Sequence, residues 1–283
     1  MRKLIVIALM ALVYTTATAQ KYFSEITLGF DFGKDNAGTS QKVLNGNWTG
    51  VYNIKDGNTG IFYTFDLKQT LNATGQKPFE KSRLIVIGVG QNKESMTNDD
   101  IKIAGGIGGA IRMIPLYNSQ PKKTENYFGA GLSANVSYKD ALRGKVEAVL
   151  TVLPRSSNYS WKKNIFSGGI GLRGDLSNFG LSAEYSLMKS SETEVQIPNN
   201  QFHATISSNS VSTMNACVYY KFMPKKSKYS AFELFAGVKM VNVNYRIKSN
   251  QQGPNSQLQN DFNNFADPIS TMFGIRMNWW KTD

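Results

Sequence analysis

The residues best suited to chemistry cluster around the only histidine of the chain, His203. Ser207, Ser208 and Ser210 follow it, and Glu192 and Glu194 precede it. These types could build a hydrolase, in which a histidine takes the proton of a serine hydroxyl and a carboxylate orients the ring. No nucleophile motif surrounds any of them, and proximity in sequence is not proximity in space. The reading is a polar histidine in a long loop, and the chain is taken not to be an enzyme.

Other constellations are weaker. Ala104-Gly105-Gly106-Ile107-Gly108-Gly109-Ala110 has the glycine density of a phosphate-binding loop. It lacks the Gly-Lys-Ser/Thr ending and the helix that such a loop opens. One histidine and one cysteine, Cys217, do not furnish the usual nitrogen and sulfur ligands of zinc. Glu192, Glu194, Asp261 and Asp267 lack the spacing of a calcium loop. No cofactor and no metal are expected, and a lone cysteine makes no intrachain disulfide.

What remains is charge placed at alternate residues. Asp31, Arg112, Glu147, Arg173, Asp175, Glu184, Lys221, Glu233, Lys239 and Arg276 fall on the polar faces of alternating segments. Acidic and basic members are near balance. That suits ion pairs across a narrow interior better than a pore selective for one sign. Pairing also offsets the cost of confining charge.

The elements that carry these charges read as strands. Phe128, Ala130, Leu132, Ala134, Val136 and Tyr138 share one face, while Gly129, Gly131, Ser133, Asn135 and Ser137 share the other. This is the two-residue period of a β-strand. Strands are expected at 22–33, 47–55, 59–71, 80–90, 100–114, 125–139, 143–153, 164–177, 178–190, 210–223, 229–247 and 267–280. Long polar connections at 34–46, 72–79, 115–124, 154–163, 191–209 and 248–266 alternate with mostly tighter ones, such as Asp56-Gly57-Asn58 and Ser177-Asn178. A transmembrane β-barrel sorts its loops in this way, with short turns on the periplasmic side.

Residues 1–19 read as a secretory signal peptide. Arg2 and Lys3 precede an apolar run from Leu4 to Val13, and Ala17-Thr18-Ala19 offers a cleavage site. Residues 20–283 read as one barrel domain. Mean hydropathy is −0.31 and no later run is long and apolar enough for a membrane helix. The net charge of +12, in an exported chain, points to anionic lipid headgroups rather than nucleic acid.

With its even strand count and its aromatic-rich last segment, the chain resembles the outer-membrane β-barrel (porin-like) family of Gram-negative bacteria. In that segment, Ile269 to Trp280, Phe273, Ile275, Met277 and Trp279 alternate on one face. The resemblance implies an all-β antiparallel barrel of about twelve strands in the outer membrane. Both ends would be periplasmic, and the barrel insertion machinery would be a partner. Tyr22, Trp48, Tyr127, Tyr229, Trp279 and Trp280 are candidates for interfacial aromatic girdles. Further expected partners are outer-membrane lipids and lipopolysaccharide, and an envelope protein met through 191–209 or 248–266. The expected function is a narrow porin-like channel for small solutes. The alternatives are a non-conducting accessory barrel of an envelope secretion or assembly complex, or a surface-binding barrel.

Overall fold

A computed structural model of the chain describes residues 21–34, 40–54, 59–71, 81–94, 100–115, 124–154, 164–190, 193–196, 203–222, 230–249 and 269–281. The signal-peptide assignment therefore lies outside the described residues. Thirteen strands account for nearly all of those residues: β1 (Tyr22–Lys34), β2 (Ser40–Asn53), β3 (Gly60–Thr70), β4 (Lys81–Glu94), β5 (Ile101–Pro115), β6 (Thr124–Tyr138), β7 (Leu142–Val152), β8 (Asn164–Leu176), β9 (Phe179–Ser190), β10 (Thr193–Gln196), β11 (His203–Phe222), β12 (Ser230–Ser249) and β13 (Ile269–Lys281).

Twelve strands close a barrel. Each pairs antiparallel with its neighbour, β9 pairs directly with β11, and β13 returns to β1 along twelve residue pairs from Tyr22↔Lys281 to Gly33↔Ser270. β10 stands outside the ring and pairs only with the first residues of β11. Closure satisfies the edge N–H and C=O groups, which lipid cannot do.

Three boundaries differ from the sequence reading for the same reason. β2 begins at Ser40, so the connection expected at 34–46 contracts to 35–39; Ser40 pairs with Lys34 and gives the outer half of β1 its partner. β4 runs to Glu94, opposite Lys102, which shortens the connection expected at 91–99. β11 starts at His203, inside the stretch expected as a loop at 191–209. In each case a polar run is held as strand by the backbone pairing of its neighbour, which overrides composition.

Two turns at the end carrying the termini are tight. Between β6 and β7, Lys139 and Asp140 both take positive φ (52° and 53°), and the Ala141 N–H donates to the Tyr138 carbonyl at 3.1 Å. Between β8 and β9, Ser177 has φ 62°. Positive φ in a two-residue turn matches the twist of the flanking strands.

The wall has opposite chemistry on its two faces. Ile87, Ile107, Leu132, Leu150, Ile170, Val218 and Leu234 point outward and are 43–60% exposed. So broad an apolar surface, wrapped around a polar interior, fits hydrocarbon and not water. On the same outer face Tyr63 lies flat over Gly50, where any Cβ would collide with the ring. Its hydroxyl donates to the Ser24 hydroxyl at 3.1 Å, which also accepts from the Trp48 indole at 3.0 Å. The donors of Trp48 and Tyr63 are therefore both satisfied at the Ser24 hydroxyl.

Inside, β2 and β5 approach within 8 Å between Cα atoms although two strands separate them in the wall. The glycine-rich stretch makes this possible. Phe62 is 1% exposed, and a Cβ on Gly106 would strike it. Phe23, Val51, Val86, Ala104 and Trp280 complete this dry corner, with the Phe23 and Trp280 rings 4.6 Å apart.

Candidate functional site

Among the described residues, the interior is where the charged side chains collect. The registers aim one alternate set of residues of each barrel strand inward, and the candidate charges belong to these sets: Asp31 on β1, Arg112 on β5, Glu147 on β7, Arg173 and Asp175 on β8, Glu184 on β9, Lys221 on β11, Glu233 and Lys239 on β12, and Arg276 on β13.

These residues divide into two levels. Toward the rim opposite the termini lies a cavity of about 510 Å³, which reaches Gly33, Val241 and Met188 near that rim. Its lining includes Asp31, which holds the Lys239 ammonium, and Glu147, paired with Lys145 at 2.9 Å. Arg112 crosses the wall from β5 to donate to the Ser167 hydroxyl on β8. Asp66 accepts from the Asn47 amide. Lys68 lines the same space.

Toward the termini the interior is filled. Arg173 is the hub: one guanidinium nitrogen meets Glu25 on β1 at 2.7 Å and another meets Glu233 on β12. Glu233 is fully buried and also binds Arg276 at 3.0 Å. Arg276 has a second carboxylate, Glu184, at 3.9 Å. Asp175 accepts from the Lys221 ammonium at 2.6 Å and from the Tyr219 hydroxyl. Beside this ionic layer, the Trp280 indole donates to Asn92 on β4 at 2.8 Å, and the Asn92 amide donates to the Lys281 carbonyl at 2.8 Å. Asn53 exchanges two bonds with the backbone of Asn92. Charges this close in a confined space strengthen each other but are costly when one partner is removed.

Two girdle candidates are corrected. Tyr127 and Trp280 point inward, not to the interface. Tyr127 is 1% exposed and its hydroxyl donates to Glu125 at 2.9 Å; Trp280 is 4% exposed in the dry corner. The reason is parity. Consecutive residues of a strand face opposite sides, so Trp279 and Trp280 cannot share one. Tyr22, Trp48 and Trp279 are on the outward parity, and Tyr229 lies outside the described residues.

Several inward groups escaped the sequence reading. Glu25 is the foremost, two residues ahead of Thr27 on the face that carries Asp31. Arg143 is another: it stands opposite Arg173 in register, and its Nε and Nη1 are buried without a partner. Extending the alternation of Lys145 and Glu147 one step back would have found it. Of the hydrolase residues, His203 starts β11 beyond the last pairing of that strand with β9, at Asn209. Glu192, Asp261 and Asp267 lie outside the described residues. Among the described residues no three metal-ligating side chains converge.

The barrel is similar in outline to two solved structures. One is the CymD monoaromatic hydrocarbon channel, at 6% identity over 94% of this chain and 90% of that one, with a TM-score of 0.37. The other is the beta domain of the Bordetella autotransporter BrkA, at 11% identity over 90% of this chain and 98% of that one, with a TM-score of 0.30. No family model and no curated protein matches the chain.

Proposed function

We propose that this barrel sits in the outer membrane with both termini in the periplasm. It forms a narrow passage for small polar solutes, closed at the periplasmic end in the present conformation. The observation that carries the reading is the cavity of about 510 Å³ that ends on a layer of ion pairs. That volume suits a small molecule. A wall on which Asp31 is matched by Lys239, and Glu147 by Lys145, favours neither ion sign strongly. At the outer end Lys42, Arg83 and Lys189 point outward and are exposed, where phosphates of outer-leaflet glycolipid would be their partners.

A non-conducting accessory barrel is the second reading, and the filled periplasmic half favours it. Single-channel recording of the refolded protein in a planar bilayer separates the two. The passage reading predicts brief, uniform openings of small conductance with weak ion preference. Silence in the wild type and in variants of the ionic layer would establish the accessory barrel instead.

A further inference from the structure

We propose that the Arg173–Glu25 ion pair is the gate of this passage, and that Asn278 and Glu184 are the resting partners that let it open. The inference rests on the passage reading above. Arg173 on β8 and Glu25 on β1 face each other from well-separated parts of the ring, so their 2.7 Å bond runs across the interior rather than along the wall.

A bridge that only braced the wall would leave bare charges when broken. This one does not. Glu25 already accepts from the Asn278 amide at 3.0 Å, and Asn278 is its direct register partner on the adjoining β13. Arg173 keeps Glu233, and Arg276 can shift its weight from Glu233 at 3.0 Å to Glu184 at 3.9 Å. After the cross-interior bond opens, Glu25 keeps Asn278 on the adjoining β13 and Arg173 keeps Glu233 on β12. Two low-energy arrangements of one set of side chains are what a switch requires. The rest of the layer is not built this way. Asp175 holds Lys221 and Tyr219 from β11, next but one to its own strand, and spans nothing.

The two partners of Glu25 pull in opposite directions, which gives a test with two signs. In planar-bilayer recordings, Arg173→Ala is expected to raise the open fraction about tenfold or more, as loss of a charge-assisted bond predicts. Glu25→Gln, which keeps the side chain's size, raises it several-fold. Asn278→Ala lowers it, because Glu25 then has only Arg173. Lys93→Ala, on the outward face of β4, is the charge-loss control. Heat-modifiable mobility on gels verifies folding of each variant, and Glu25→Gln carries the test if Arg173→Ala does not fold. Open fractions in Glu25→Gln and Asn278→Ala that match the Lys93→Ala control, with the wild type conducting, overturn the gate and leave the passage. Silence in the wild type and every folded variant overturns the passage, and the gate with it.

Discussion

The half of the interior nearest the termini is closed by two regions of opposite construction. Between β2 and β5 the wall folds onto itself around Phe62, with glycines at 90 and 106 leaving room for the ring. Between β8, β12, β13 and β1 the space is filled by Glu25, Arg173, Glu233 and Arg276. The first region is held by shape. Phe62 is 1% exposed and fills its corner. The second is held by bonds between long, flexible side chains. One end of one barrel thus combines a corner held by shape with one held by charge.

The sharpest way to break this comparison is to empty the fixed corner. Phe62→Ala should destabilise the barrel by about 4 kcal/mol, as for other large-to-small changes at full burial. It should do so without raising conductance, because the ionic layer is intact. Urea-driven unfolding from lipid vesicles gives the first quantity and bilayer recording the second. Glu233→Gln addresses the other region. Two guanidiniums would lose their shared, fully buried counter-charge, at a cost of about 3 kcal/mol; here the loss of stability should come with increased conductance. Trp280→Phe keeps the ring beside Phe23 but removes the bond to Asn92, and should cost about 1 kcal/mol in the same unfolding assay. The smallest effect is expected at the turn. Lys102 meets Asp140 at 2.9 Å with the carboxylate half exposed, and Lys102→Ala should cost less than about 1 kcal/mol, diminishing further in high salt.

The two regions were not equally legible in the sequence. The ionic one follows from parity: once Asp31, Glu233 and Arg276 are placed on the polar face of their strands, they must look inward. The partners were less accessible. Which carboxylate Arg173 meets depends on where β1 stands relative to β8 around the ring, and that is set by the accumulated stagger of all the registers. The dry corner was hidden more deeply. Ala104 to Ala110 fails as a phosphate-binding loop, and nothing local shows that Phe62, some forty residues earlier, lies on Gly106. Trp280 was assigned to the interface because aromatics at strand ends usually belong there. Its neighbour Trp279 already held the outward position, and parity sends Trp280 inside. The strand ends at Ser40, Glu94 and His203 were missed because their residues are polar. Backbone pairing with β1, β5 and, at His203, β10 holds them all the same.

Access to water from each side of the membrane tests the central claim, that the interior is an open cavity above a closed layer. In a Cys217→Ser background, single cysteines at Thr213, in the cavity, and at Val51, in the closed layer, can be challenged with a charged, membrane-impermeant thiol reagent. The account predicts rapid reaction of Thr213→Cys from the outer face, and protection of Val51→Cys from both faces. Equal and rapid labelling of Val51→Cys would contradict it, because the half nearest the termini would then be open to water.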